Sequence, residues 1–588
     1  MSDDRAIATP APADRPTFKI LVDGAEIDAK LQVQAVVVTR SFNRVSDAEV
    51  RLFDGDPSVE DFPASSGDAF VPGGAIEIFA GYHGNEDKIF AGIIVRHGVR
   101  AYQSKPSVLR LECRDAAVKL TVGRKSAYYY DAQDAEVIEE LAAAAGLATD
   151  VEAAGVVHPQ MVQHHVTDWD FIVTRAEANG QLVTTRDGEL AVKTPDAGGA
   201  PVLTLAFGGN VLDFEAVMDA RHPFAAVAAT AWDAAGQAPV EAEAAAPPPA
   251  APGDLTADDL AAVIGLERFE LRHGGALADG ELQAWADGRR RRAAFAQVRG
   301  RVRVQGTAAV VPGDVVELKG VGARFSGKAL VSGVRHEIDL RNWETDVTFG
   351  LDPTAFAEAR RDVIDAPAAG LLPAVSGLHV AQVTALAGDP AGEDRVQVRL
   401  PLIDPAEEGT WARVATLDAG AGKENGGRGC FFRPEVGDEV VLGYLDDDPR
   451  HPVILGMLNS SALPAPLAAD DANPEKGFVT REGLKLIFND ADLAVTVETP
   501  AGNKAVISDA DEGIAFEDQH GNKVVTSAGG ITVESAKDLV LKAAGDVRIE
   551  GANVSSAASA QLTAEGGSAA ELSSGGSTVV KGSVVQIN

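Results

Sequence analysis

Few residue groups in this chain could do chemistry, and most sit in the wrong company. Gly420–Gly427 (GAGKENGG) has the glycines and lysine of a phosphate-cradling loop. Such a loop needs an earlier glycine and a Ser or Thr directly after the lysine. Here position 417 is Leu and Lys423 is followed by Glu424, so a flexible strand connection is expected. His164 and His165 are adjacent, and neighbours point differently in any regular element, which argues against one shared metal. Asp446-Asp447-Asp448 could attract a cation, but Pro449 follows and the run reads as a turn. The four arginines Arg289–Arg292 lie in a predicted helix of an acidic chain and read as a solvated or interdomain salt-bridging face. Asp509, Asp511, Glu512, Glu517 and Asp518 could offer paired carboxylates for sugar hydrolysis, yet they fall around turns. His520 reads as a water-facing turn residue rather than a metal ligand. No GxSxG, HExxH, Walker A or dinucleotide fingerprint occurs. The expectation is a protein without catalytic residues, cofactor or metal.

Composition points the same way. The chain has 588 residues, 45% apolar, with only 5% aromatic and 60 glycines, which suits many short strands and tight turns. Its net charge of −35 opposes nucleic acid and anionic lipid. The two cysteines, Cys113 and Cys430, form no CxxC and imply a cytosolic assembly compartment. The acidic, Pro/Ala-rich start is not a signal peptide, and no apolar run reaches the ~18 residues of a spanning helix.

These residues must be held by mostly β elements. After a tail at 1–17, FKILVDGAEI turns at Asp23-Gly24, and strand-like runs continue to residue 130 as a barrel or sandwich. Residues 131–200 carry a helix ending at Gly146, a second capped by Thr167 or Asp168, and a hairpin over Arg186-Asp187-Gly188. A second β block spans 201–361, interrupted by a loop at 241–253 and containing a helix near Gly280–Gln297. Linkers are expected at 362–376 and 460–478. Between them, five alternating strands in 377–459 predict a small closed barrel of the OB type.

That barrel carries RVQVRLP at Arg395–Pro401, a W-x-R-V strand at Trp411–Val414, F-x-P-x-x-G-D-E-V at Phe432–Val440 and D-D-P-x-x-P-V-x-x-G at Asp447–Gly456. Taken together these resemble the OB domain of VgrG spike proteins. VTDWDFIVTRAEANGQLV at Val166–Val183 resembles a second line of the same family, except that Thr174 stands where its Arg would be and Arg175 comes one residue later. The likeness is nearest to the spike–hub proteins of extracellular contractile injection systems, which are phage-tail-like particles. It implies a mainly β fold: tandem hub β-barrels with a small α/β insertion, an OB-fold and a C-terminal intertwined trimeric β-helix, the needle. It further implies a homotrimer with tail-tube and baseplate partners at the hub and a PAAR-repeat tip protein at the C-terminal end. Effector cargo is a further possible partner, and a membrane enters only as puncture target. Assembly in the cytoplasm without a signal peptide, followed by ejection, is the expected route.

The C-terminal region, 479–588, is the needle on this reading. Gly483, Gly502 and Gly521 recur every 19 residues, and past Ile531 the step falls to 8. Ile531 with Val533, Leu539 with Leu541, and Val547 with Ile549 share a strand face at period 2 and are the expected trimer core. The period alone leaves open one chain coiling as a monomeric β-helix or three chains each giving one strand per layer; the resemblance favours three. Val585, Gln586, Ile587 and Asn588 form the expected tip-protein site, through unpaired backbone edges. The rival readings are a β-helical polysaccharide-degrading enzyme and a glycan-binding tail fibre.

Overall fold

The computed structural model describes residues 15–247, 249–339, 341–423 and 426–587. The chain is mainly β. It divides into two units, residues 1–376 with 444–450, and residues 377–443 with 451–588.

In the first unit, alternation sets the strands. Val36 and Val38 of Val33–Ser41, with Ala48, Val50 and Leu52 of Arg44–Phe53, point to one buried face. The hairpin at Asp23-Gly24 joins Pro16–Val22 to Ala25–Glu26, both turn residues having positive φ (49° and 80°). The barrel strands continue through Ala75–Tyr82, Asn85–Arg100 and Val108–Arg114. Within the 201–361 block, Val227–Asp233, Ala238–Glu243 and Phe269–His273 form a small sheet of their own, but the other strands join the sheet of the first block. The block's long strand Gly327–Asp339 pairs antiparallel with Val33–Ser41, Val38 opposite His336. One thirteen-stranded sheet therefore runs through both β blocks. Trp343, from the second block, is buried in the first core and stacks on Tyr82 at 5.5 Å.

The α/β insertion has its own core. The helix Asp134–Ala144 precedes Gly146, whose φ is +78°. The helix Asp168–Ala178 is capped by Thr167, whose Oγ1 accepts from the Asp170 N–H at 3.0 Å. Trp169, Phe171, Ile172 and Val173 bury against the hairpin Leu182–Arg186/Glu189–Lys193.

In the second unit, the strands His379–Ala385, Val396–Arg399, Thr410–Val414, Pro452–Met457 and Glu439–Tyr444 close a five-stranded barrel around Val396, Val398, Ala412, Val440 and Ile454. A seven-stranded antiparallel meander follows, in strict chain order: Glu475–Val479, Lys485–Asn489, Ala494–Glu498, Lys504–Ser508, Gly513–Glu517, Lys523–Ser527 and Gly530–Glu534. Phe432 stacks on Phe478 at 4.9 Å, and Arg481 pairs with Glu435 at 2.8 Å. The barrel and the first meander strands are thus joined by side chains as well as by the 460–478 connection.

Candidate assembly surface

The meander is built from one repeated turn. In Thr480–Leu484, Thr499–Asn503 and Asp518–Asn522 the same two backbone bonds recur, from residue 1 to residue 5 and from residue 4 to residue 1. The fourth residue is Gly483, Gly502 or Gly521, with φ of +81°, +92° and +87°. Only glycine takes that conformation without steric cost. The first side chain accepts from the fifth N–H: Thr480 Oγ1, Thr499 Oγ1 and Asp518 Oδ1. Asn522 also donates from its side chain to Asp518, and these bonds hold the Asp518 carboxyl below its usual range. Each 19-residue period is therefore two strands and two turns. In the first two periods the second turn carries no glycine and its left-handed residue is Leu493 or Glu512; in the third it runs through Gly529 into Gly530, whose φ is +117°.

Directly opposed residues share a face of the sheet. One row crosses all seven strands as Phe478, Leu486, Val497, Ala505, Phe516, Val524 and Val533. Two residues along, on the same face, runs Lys476, Phe488, Val495, Ile507, Ile514, Thr526 and Ile531. Only Lys476 and Thr526 are polar. The opposite face carries a second kind of row: Lys485, Glu498, Lys504, Glu517, Lys523 and Glu534, alternating in sign strand by strand. Lys485–Glu498 (3.3 Å) and Lys523–Glu534 (3.1 Å) close as ion pairs.

The apolar face has nothing over it in a single chain. Phe516 is 55% exposed, Ile507 56% and Ile531 75%. None of the buried cores among the described residues includes a residue after Ile454. A cavity of about 550 Å³ opens on this face, lined by Val497, Phe516, Val524, Val533 and Leu539.

Of the expected needle core, Ile531 and Val533 lie on this face, in the last strand of the meander. Leu539 reaches the same cavity. Leu541, Val547 and Ile549 are exposed and belong to no strand; no strand follows Glu534 among the described residues. A strand requires a ladder partner, and this chain supplies none to the octads. Val585, Gln586 and Ile587 are likewise exposed and unpaired as strands, and Asn588 lies outside the described residues. Sequence reading missed the larger part of the apolar face, from Phe478 to Thr526. Its signal in the sequence is the alternation within each five-residue strand.

The other chemistry-bearing groups are absorbed by the fold. Arg289 lies over the Phe269 ring at 5.1 Å and pairs with Glu358 at 3.3 Å. Arg290 and Arg291 donate to the carbonyls of Ala244 and Gly180, and Arg292 pairs with Glu177. The His165 ring lies 3.1 Å from Asp365, beside a register shift in its strand. Asp448 is buried and held by Arg450 at 2.6 Å, in the turn after Tyr444. Among the described residues, no group of three or more His, Cys, Asp or Glu is placed to hold a metal. Burial pushes the Cys113 thiol up to about 12.

A family model described as the Alg8 N-terminal domain matches residues 12–339, more than half of the chain. The chain belongs to the Alg8 N-terminal domain family. The Alg8 N-terminal domain holds the α/β insertion and most of the thirteen-stranded sheet. Beyond it, residues 379–458 match the type VI secretion system/phage-baseplate injector OB domain. That span encloses all four motifs of the OB likeness, so the chain is VgrG-like at the level of that domain. Among solved structures, the chain is similar to the 43 kDa tail protein of prophage MuSo2 from Shewanella oneidensis, at 12% identity, covering 57% of this chain and 98% of that one, with a TM-score of 0.45. It is similar to an E. coli type VI secretion component, itself described as similar to T4 bacteriophage tail proteins, at 13% identity, 75% and 100% coverage and a TM-score of 0.39. A Francisella PdpA–VgrG complex matches at 7% identity, 88% coverage of each chain and a TM-score of 0.36. No curated protein matches the chain.

Proposed function

We propose that this chain is the structural spike and hub of a contractile injection particle. Three copies join into one needle; the hub end caps the tail tube and anchors the baseplate centre, and the Val585–Asn588 end carries a PAAR-type tip. It turns over no substrate; its work is to centre the tube and pierce a target envelope. One observation carries this reading: a chain with an injector OB domain continues into a sheet that has an apolar face and no core of its own. Isolated strands with an uncovered apolar face are not stable in water, so the sheet needs partners. The carboxylates a glycan-cleaving enzyme would need, from Asp509 to Asp518, lie at turns on either side of the Gly513–Glu517 strand and in its last residue.

Native mass or multi-angle light scattering on the full chain tests the reading, with a trimer expected. A stable monomer at micromolar concentration would refute it. Truncation after Gly477 is expected to leave the hub folded and abolish capture of a PAAR-type tip protein.

A further inference from the structure

The ladder changes character at Glu534. Before it, every strand from Glu475 to Glu534 finds its neighbour in the same chain; after it, none of the described residues does. The two regions therefore need different things from a partner. The octads need ladder hydrogen bonds. The meander has its internal ladder already, apart from the outer edges of its first and last strands, and lacks a cover for its apolar face.

We infer that two further copies of this chain cover that face, and that this closure is complete without the octads. The inference rests on the trimeric reading above and assigns its first contact. The geometry favours three copies. Five-residue strands are about 17 Å long. An equilateral triangle with ~17 Å sides holds each side ~5 Å from its centre, half the ~10 Å at which sheets pack face to face. Each layer then brings two inward residues per chain to the axis, such as Ile507 with Ala505, or Ile514 with Phe516. The Lys/Glu row of the opposite face stays in water.

Closure of the meander also solves a problem for the octads. A strand of eight-residue units with no partner in its own chain must find two others in register. Three closed meanders hold three Ser535 residues at one end of one prism, which makes the later pairing effectively intramolecular. Ser535 and Ala536 are tied back to the Asn522 side chain at 3.0 and 2.8 Å, so the exit point is set by the meander itself.

Single substitutions in the full chain separate the two contacts. Val547→Asp charges the octads alone. The variant is expected to remain a trimer by native mass, with the region after Glu534 open to protease. Phe516→Asp charges the meander face, and is expected to give monomer. Thr496→Asp, on the opposite face of the same sheet, controls for mere damage and is expected to stay trimeric. Val524→Cys, on the inward row, is expected to form an oxidised dimer between copies without changing the trimer mass. If Val547→Asp is monomeric while the unmodified chain is a trimer, the octads drive assembly and this inference is overturned, though the trimeric spike stands. A Phe516→Asp trimer, a Thr496→Asp monomer, or a dimeric native mass for the unmodified chain, would also overturn it. If the unmodified chain itself is monomeric, the spike reading has failed.

Discussion

Arg175 stands one residue later than the spike–hub line would put it, and its contacts show how the fold uses the shifted charge. One residue along a helix is about 100° of rotation. From its position Arg175 forms two bonds to the buried Asp134, at 2.6 and 3.0 Å, and a third to Glu281 at 3.1 Å. Asn179 and His158 complete the shell around Asp134 at 2.8 and 3.1 Å. Burial pushes the Asp134 carboxyl up, but the Arg175 bonds and charge outweigh it and hold the group below its ordinary range. Thr174, at the expected position, has a buried hydroxyl with no hydrogen-bond partner. Arg175→Ala leaves Asp134 charged and poorly compensated, and should cost about 3 kcal/mol in equilibrium unfolding of the hub. A second buried titratable group gives a pH signature. Burial, aided by the Arg40 charge, lowers the His336 pKa to about 3. The unfolded chain, with His near 6.5, binds the proton that the fold refuses, so stability falls as pH drops from about 6.5 toward 3. The slope should approach ~1.4 kcal/mol per pH unit. Denaturant titrations between pH 4.5 and 7.5 should show it, and His336→Gln should flatten it.

At the scale of elements, the sequence was legible wherever a local signal set the geometry. The Asp23-Gly24 and Asp187-Gly188 turns, the Thr167 cap and the five barrel strands after residue 377 all announce themselves within a few residues. The 19-residue period was equally plain, but two of its six turns were hidden. Leu493 and Glu512 adopt left-handed backbone without glycine, in turns where Asn489 Oδ1 accepts from the Ala491 N–H and Ser508 Oγ accepts from the Asp511 N–H. The pairing of Val33–Ser41 with Gly327–Asp339 was invisible for another reason: it joins strands about 300 residues apart, which no periodicity reports. Period 2 marks alternate apolar positions in the octads, which form no strand among the described residues, and one sequence carries no mark of a ladder partner outside the chain. One glycine in the meander is tested simply. A Cβ on Gly513 would lie 2.0 Å from the Thr526 carbonyl oxygen of the adjacent strand. Gly513→Ala should split the Gly513–Glu517 and Lys523–Ser527 strands and raise hydrogen exchange from residue 504 to 534, leaving the OB barrel unchanged.

For the whole molecule, charge and topology pull against each other. Each copy carries −35, so like copies repel before their apolar faces meet. Raising the salt from ~0.01 to ~0.15 M shortens the screening length from about 30 to 8 Å. Formation of the proposed trimer after dilution from denaturant should therefore speed up with salt, as followed by light scattering. The chains of the proposed prism must separate together, so it should dissociate slowly and its resistance to heat should depend on scan rate. The 13-stranded sheet differs in having buried cores formed within one chain.

The alternating row Lys485, Glu498, Lys504, Glu517, Lys523 and Glu534 has an effect beyond its ion pairs. Its three lysines cancel its three glutamates, and opposite signs stand one strand apart, about 4.8 Å. A field that reverses over so short a distance dies away before one screening length of ~8 Å. To a distant charged layer this strip of an otherwise strongly acidic molecule is electrically blank. Anything charged that passes farther off than one screening length is neither drawn to the row nor turned away by it.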